Sequence, residues 1–486
     1  MAKTALYVFL FIEYTASLIP ADVTQVHLGI SGPSVGCANG IAVSFATNEA
    51  KPYKVIATTG DSTITTESTY TNYAVTEPQY NYSYLHTALL CDLADTTRYT
   101  YTIGDSDFTG SFVSLPHPGS DSKETIIGII GDPGDTNSSE TTFSEQAKTF
   151  EGKKIQALVI VGDFSYANGE HLQWDNWFRS QQNLSSVIPL TGINGNHETI
   201  TSAGHLNMYP FPEDRELEAE NYLGYLQRVY TPITEAAKTA LHTWYSIDIG
   251  LIHCVFLDDY TGSRGVNMSI VGTKSWLADR NDQLEWLKVD LQSVDRSVTP
   301  WVVVMKHNPF YNTWNIHDCQ CSPTIFDIDS ADAAKCWNGQ YYSGIVYWEP
   351  QCGLMAKLED VFSANRVNVV ISGHVHAYER TAKIYKNKED AEKGVYYVTT
   401  GSGGNYEGHA GPRIPSSKIP SWSLAANNVT FGGSRIIATR DSFRFLWFAN
   451  DLDTKEAVPT DNFTIVANGL ASITWPLTSL HSDDSP

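Results

Sequence analysis

The chain has 486 residues, with 32 Lys and Arg against 54 Asp and Glu, a formal net charge of −22. So few cations exclude a general nucleic-acid binder, which needs them to neutralise phosphates, and a polybasic membrane-surface protein. At 42% hydrophobic, 12% aromatic and 18% charged residues, the composition also excludes a disordered acidic chain and supplies large cores. At roughly 150 residues per domain the length predicts two to four domains. The surplus carboxylates suit hard metals, yet an acidic surface repels anionic substrates unless cations offset it.

Residues 1–21 read as a signal peptide: Lys3, a short apolar run from Ala5 to Ile12, then small residues at Ala16, Ser17 and Ala21. The alternative is a buried N-terminal strand, which Glu13 keeps open. The run is too short to span a membrane, and no later stretch approaches the roughly 18 apolar residues a span needs. Six Asn-X-Ser/Thr sequons, at Asn81, Asn137, Asn183, Asn267, Asn428 and Asn462, fit a secreted or vacuolar protein.

Residues 22–118 read as all-β. Short runs at Val26–Ile30, Ile41–Phe45 and Tyr53–Ala57 sit between Gly, Pro and Asn turns, and 97–103 alternates at period 2. That pattern predicts a small sandwich. A Pro- and Gly-rich loop, 115–122, marks a boundary. From 124 to 465 apolar runs alternate with helical patterns, predicting an α/β domain, followed by a tail at 466–486. Strands are expected at 125–130, 157–161, 187–191, 301–305, 367–371 and 395–399. Helices are expected at 142–150, 174–182, 283–294 and 353–363.

There are seven cysteines. Cys37 and Cys91 are candidates to bridge two strands of the β region. Cys254, in the apolar run Leu251–Phe256, reads as a buried free thiol. Cys319, Cys321, Cys336 and Cys352 suggest disulfides bracing a long loop, and their spacing is a poor zinc pattern. An odd count leaves one thiol unpaired or used between chains.

The chemistry gathers where the predicted strands end. Five of them stop in polar fragments: Gly131-Asp132-Pro-Gly134, Gly162-Asp163-Phe-Ser-Tyr166, Gly195-Asn196-His197-Glu198, Lys306-His307-Asn308-Pro309 and Gly373-His374-Val-His376. Ligands of α/β sheets bind at the carboxyl ends of strands. Each fragment alone has a plain reading: Gly-Asp as a turn, Asn-His as a cap, a lone histidine as a packed side chain. Five in this order are not explained by turns.

That order resembles the purple acid phosphatases, within the calcineurin-like metallophosphoesterases. The likeness extends to Trp174-Asp175, Trp244–Asp248, Thr299-Pro-Trp301, His376–Arg380 and Gly401–Asn405, and covers roughly residues 22–465. Residues 84–99 look like the end of that family's fibronectin type III-like domain. The resemblance implies such a domain ahead of a two-sheet catalytic domain flanked by helices. It also implies an acid phosphatase cleaving phosphate monoesters with a metal-bound hydroxide. In the family Asp132, Asp163, Tyr166 and His376 would hold Fe(III). Asp163, Asn196, His307 and His374 would hold a divalent ion, Zn, Mn or Fe(II), with Asp163 bridging. Tyr166 would give the ferric charge-transfer colour.

His197 resembles the family's outer-sphere histidine, able to orient phosphate and protonate the leaving alkoxide, or else to position a ligand. Plant members carry two adjacent histidines after the fourth motif. Here Ile316 replaces the first and His317 matches the second, which puts the usual substrate preference in doubt. Segment 318–352 is longer than the family's loop, and reads as a wall shaping specificity or as a packing insertion. Asp135 and Glu198 read as turn or supporting residues, His253 as a core histidine, Trp174 and Trp177 as packing. Implied partners are small phosphate esters, neither nucleic acid nor membrane, with a homodimer allowed. Two rivals are a phosphodiesterase or nucleotide pyrophosphatase of the same superfamily, and an inactive secreted binding glycoprotein. The second is disfavoured because all seven ligands are kept.

Overall fold

The computed structural model describes residues 23–60, 62–75, 80–121, 124–199, 223–261, 274–315, 317, 352–451 and 453–467. The leader-like segment, Asn267, Ile316, Cys319, Cys321, Cys336 and most of segment 318–352 lie outside the described residues.

The N-terminal region is built of strands: β1 (Thr24–Ile30), β2 (Ile41–Thr47), β3 (Lys54–Thr59), β4 (Ser62–Glu67), β5 (Thr69–Val75), β6 (Tyr80–Leu90), β7 (Arg98–Ile103) and β8 (Thr109–Val113). Alternation along β7 points Tyr99, Tyr101 and Ile103 inward and Arg98 and Thr100 outward. The sheet β4-β3-β7-β8 faces β1 and β2 across a core that includes Val26, Leu28, Val43, Phe45, Val55 and Tyr101. A disulfide joins Cys37 to Cys91, with Cα atoms 5.0 Å apart. It closes a loop of 54 residues, for which chain entropy predicts about 4 kcal/mol. The double variant Cys37→Ala, Cys91→Ala should lose about that much in chemical denaturation while keeping its activity.

The second region alternates strand and helix: β9 (Thr125–Ile130), α1 (Asn137–Ala147), β10 (Ala157–Val161), α2 (His171–Ser185), β11 (Leu190–Ile193), α3 (Asn196–Thr199), α4 (Leu223–Arg228), α5 (Glu235–Thr239), β12 (Tyr245–Ile249), β13 (Ile252–Leu257), α6 (Lys274–Ser293), β14 (Trp301–Lys306), α7 (Cys352–Ala364) and β15 (Val369–Ser372). Strands follow: β16 (Tyr378–Tyr385), β17 (Lys388–Glu389), β18 (Val395–Thr400), β19 (Ser423–Asn427), β20 (Gly432–Ala438), β21 (Ser442–Ala449) and β22 (Asp461–Val466). One sheet runs β22-β21-β20-β9-β10-β11-β1-β2-β6-β5, and a second runs β12-β13-β14-β15-β18-β16-β17 with β19 on β16. Strand β1 pairs with β11 in parallel at Gly29 and Leu190, so the N-terminal strands continue the sheet of the α/β region.

The two large sheets share a core that includes Ile129, Val159, Ile193, Phe256, Met305 and Ile371. In β13 alternate residues serve two layers. Ile252, Cys254 and Phe256 face the first sheet, while Val255 and Leu257 meet Leu284 and Leu287 of α6. Trp174 and Trp177 of α2 pack on Phe164, Trp177 also on Phe143 of α1, and Cys254 is a buried free thiol between the sheets.

Several element boundaries differ from expectation, among them three element starts. Helix α1 begins at Asn137 because Thr136 caps it, its Oγ1 accepting from the N–H groups of Ser138 and Ser139. The strand expected at 187–191 begins at Leu190, since the N–H groups of Val187 and Ile188 still bond Leu184 O of α2. Helix α6 starts nine residues earlier than expected, at Lys274.

His253, read as a core histidine, is buried on the α6 face but clamped between charges. Its Nδ1 lies 2.6 Å from Asp248 Oδ1 and its Nε2 3.0 Å from Asp290 Oδ2. Burial opposes its charge, yet these two carboxylates hold it up to about 9. A folded value above the ordinary 6.5 stabilises the fold fully below pH 6.5 and loses that contribution as pH rises through 9. The shift is worth about 3 kcal/mol. The melting temperature should fall between pH 7 and 10, and His253→Gln should flatten that slope.

Candidate metal centre

Parallel pairing of β9, β10 and β11 and of β13, β14, β15 and β18 aligns their carboxyl ends. Asp132 follows β9, Asp163 and Tyr166 follow β10, and Asn196 and His197 follow β11. His307 follows β14, and His374 and His376 follow β15. All eight side chains are buried or nearly so. The backbone is strained where they leave the sheets: Asp132, Asp163, Tyr166 and His374 have φ of 56°, 54°, 53° and 63°. Non-glycine residues are held in this region by surrounding structure, typically at functional sites. The preceding glycines answer to crowding. A Cβ on Gly162, itself at φ +92°, would lie 2.1 Å from His307 Nδ1, and one on Gly195 would lie 2.1 Å from Asp163 Oδ1.

The ligand atoms form two adjoining groups. In the first, Tyr166 Oη is 3.3 Å from Asp132 Oδ1 and 3.0 Å from His376 Nε2, and His376 Nε2 is 3.6 Å from Asp132 Oδ1. In the second, Asn196 Oδ1 is 2.9 Å from both His307 Nε2 and His374 Nδ1, and His307 Nε2 is 3.2 Å from Asp163 Oδ2. Ligands at 2.0–2.2 Å from one ion sit about 3 Å from each other, so both groups have the spacing of a coordination shell. Asp163, His307 and His374 form one candidate metal-holding set. The groups adjoin, with Asp132 Oδ1 4.0 Å from His307 Nε2.

The donor chemistry fits cations. His307 Nδ1 donates to Val161 O at 2.8 Å, so the neutral ring must turn its Nε2 lone pair toward the Asp163 carboxylate and the Asn196 amide oxygen. Those contacts are repulsive unless a proton or a metal ion lies between them. The electrostatics agree. Burial opposes charge on His307, but Asp163 and Asp132 push it up to about 10. Burial likewise opposes charge on Asp163, yet His307 and His197 hold its carboxyl well below the usual range. Burial raises Asp132 to about 8 and lifts the Tyr166 phenol well above its ordinary value, reinforced by Asp132 and Asp163.

Two further histidines lie beside the groups. The His197 ring lies 4.1 Å from that of Tyr166, with Nδ1 2.5 Å from Asn168 Oδ1. Its Nε2 faces Asp163 Oδ2 at 3.9 Å and Glu407 Oε1 at 3.7 Å. Burial lowers its pKa to about 4. His317 packs edge-on to His374, ring centroids 5.3 Å apart.

Supporting residues hold this geometry. Glu198 Oε2 accepts from the N–H groups of Asp163 and Gly195 at 2.8 and 2.9 Å, and Oε1 accepts from Phe164 N–H at 2.9 Å. One carboxylate therefore ties the loops after β10 and β11 together. Asp135 braces α2, accepting from Ser180 Oγ and Gln173 Nε2. Asn405 Nδ2 donates to Asp132 O at 3.1 Å. Sequence reasoning missed Asn168 and Glu407. Their only signal is position: Asn168 stands two residues beyond Tyr166, and Glu407 two beyond the Gly401–Asn405 run.

Residues 125–378 match the family model for calcineurin-like phosphoesterases, and residues 394–458 match that for an iron/zinc purple acid phosphatase-like C-terminal domain. Purple acid phosphatase 22 of Arabidopsis thaliana is 27% identical over 461 residues, 94% of this chain and 88% of that protein. The Fe(3+)-Zn(2+) purple acid phosphatase 12 of the same plant is 29% identical over 345 residues, 68% of this chain and 61% of that protein. Among solved structures, a purple acid phosphatase from yellow lupin (Lupinus luteus) seeds superposes with a TM-score of 0.67 at 19% identity, covering 95% of this chain and 78% of that one. The chain belongs to the purple acid phosphatases, acid phosphatases of the calcineurin-like phosphoesterase family.

Proposed function

We propose that the chain hydrolyses phosphate monoesters at a two-metal centre in which Asp163 bridges. Asp132, Asp163, Tyr166 and His376 would hold a trivalent iron, since carboxylate and phenolate oxygens suit a hard ion. Asp163, Asn196, His307 and His374 would hold a divalent ion, Zn, Mn or Fe(II), which accepts imidazole and amide ligands. The observation that carries this reading is His307 Nε2 lying 2.9 and 3.2 Å from the Asn196 and Asp163 oxygens while Nδ1 donates to Val161 O. The likeness to the Fe(3+)-Zn(2+) purple acid phosphatase of Arabidopsis thaliana supports the metal pair. Bound there, the ions would supply Lewis acidity to a phosphoryl oxygen and bring the pKa of a water toward neutrality.

The chain's own residues do the rest. Asn168 Oδ1 accepts from His197 Nδ1–H, so Nε2 is the nitrogen presented to the substrate side. From there His197, once protonated at Nε2, would orient phosphate and pass that proton to the departing alkoxide. His317, whose ring packs against that of His374, would contact the phosphate beside that ligand. The buried ligand walls exclude bulk water and strengthen every charge interaction inside. The leader-like residues 1–21, the sequons and the Cys37–Cys91 bond support a secretory route, where disulfides persist.

The test is a parallel assay at acid pH of p-nitrophenyl phosphate and bis(p-nitrophenyl) phosphate on metal-analysed protein. The monoester should be turned over much the faster. Preference for the diester, or no hydrolysis by protein with both ions bound, would refute the reading.

A further inference from the structure

A concavity opens at the amino-terminal ends of β9 and β10, the strands that lead to Asp132 and Asp163. It encloses about 900 Å³, within the range of small-molecule sites. Ile126 lines it and lies six residues before Asp132, roughly 20 Å along an extended strand. The cleft is therefore separate from the metal centre. One wall is Phe112 and Val113 of β8; the other is Ile126, Ile155, Leu184 and Val187.

Charge at the cleft runs against that of the molecule. Arg98, Lys153 and Lys154 line it with a single carboxylate, Glu124, in a chain of net charge −22. Glu124 is paired with Lys153, which leaves Arg98 and Lys154, both exposed, as the excess positive charge beside an apolar floor.

The walls are locked before any ligand arrives. Tyr101 Oη, from the sandwich, donates to Ser186 O beyond α2 at 2.8 Å. Ile126 N–H donates to Gln156 Oε1 at 2.8 Å. The lysines follow a tight turn closed by reciprocal backbone bonds between Phe150 and Lys153, with Glu151 and Gly152 both left-handed at φ 52° and 72°.

We propose that this cleft binds a small amphiphilic anion, its aliphatic or aromatic body on the Phe112–Ile126–Leu184 floor and its anionic end between Arg98 and Lys154. A purely apolar ligand would leave these cations unused, and free phosphate would leave the floor wet.

The test uses full-length protein with its metals and any glycans in place. The anionic dye 1-anilinonaphthalene-8-sulfonate is titrated beside the uncharged N-phenyl-1-naphthylamine. The dye should bind saturably with one site and be displaced by dodecanoate. The pair Arg98→Glu, Lys154→Glu should weaken the dye about tenfold and spare the neutral probe, while Val187→Asp, at a half-exposed position, should weaken both. Hydrolysis of p-nitrophenyl phosphate and the melting temperature should stay at wild type, since none of these residues touches the metal centre. Three results would overturn the proposal: no saturable dye binding; equal dye affinity in the charge-reversed pair; or dye binding only after enzymatic removal of a glycan from Asn183, which lines the cleft and would then supply the occupant. Attachment to anionic vesicles without displacement by dodecanoate would assign the cations to a membrane surface and also overturn it.

Discussion

Asp163→Ala should yield a folded protein that retains neither ion and hydrolyses no phosphate monoester. Asp163 belongs to the second ligand group, with His307 and His374, and is proposed to be shared with the first. Its Oδ2 is 3.2 Å from His307 Nε2, and its Oδ1 accepts His197 N–H at 2.9 Å. On the proposed bridge, removing it would take a negative ligand from both ions and leave His307 Nε2 facing only an amide oxygen. The loss in kcat should exceed the roughly 10²–10³-fold that follows deletion of one transition-state hydrogen-bond donor, because binding of the catalytic ions fails. Asp163→Asn separates charge from shape, since it can keep the contact to His197 N–H while losing the anion. It too should fail to hold two ions. Metal analysis and the monoester assay on both variants check this, and near-wild-type turnover in either contradicts the bridge.

Glu198→Ala should be the most damaging change at a residue that touches no proposed ion. Three backbone N–H groups, of Asp163, Phe164 and Gly195, converge on its carboxylate. Each buried N–H left without a partner costs about 1–3 kcal/mol, so a loss of at least about 3 kcal/mol in chemical denaturation is expected. The catalytic cost should follow from displacement. Asp163 and Asn196 leave from the loops that Glu198 ties together, and an error of about 1 Å in such a site can cost about 10²-fold. Glu198→Gln keeps one acceptor oxygen and should fall between Ala and wild type on both measures. An Ala variant with unchanged stability and kcat would show that the loops hold themselves.

The sequence carried more of the site than of the frame around it. Gly-Asp, Gly-Asn-His and Gly-His-X-His mark strand ends because the ligands need strained turns and the glycines must clear them. A Cβ at Gly162 or Gly195 would strike another ligand. The core strands were legible for a similar reason: runs such as Thr125–Ile130 and Ala157–Val161 are covered on both faces and so read as unbroken apolar segments. What escaped depends on partners distant in sequence. Pairing of β1 with β11 leaves no local pattern. The His253 clamp needs Asp290, which α6 brings from 37 residues away. Asn168 and Glu407 sit in loops whose paths are set by the sheets, so neither shows a period or a spacing. The acidic surplus proved a poor guide to the chemistry, since only Asp132 and Asp163 among 54 carboxylates are proposed as ligands.

Tyr166 is proposed as a phenolate ligand to ferric iron. The most direct measurement is the visible absorption spectrum of the purified protein, with its iron content, beside that of Tyr166→Phe. The expected result is a coloured wild-type protein with one iron per chain and a visible band lost in Tyr166→Phe. A colourless wild-type protein containing iron, or a band that survives in Tyr166→Phe, would contradict it.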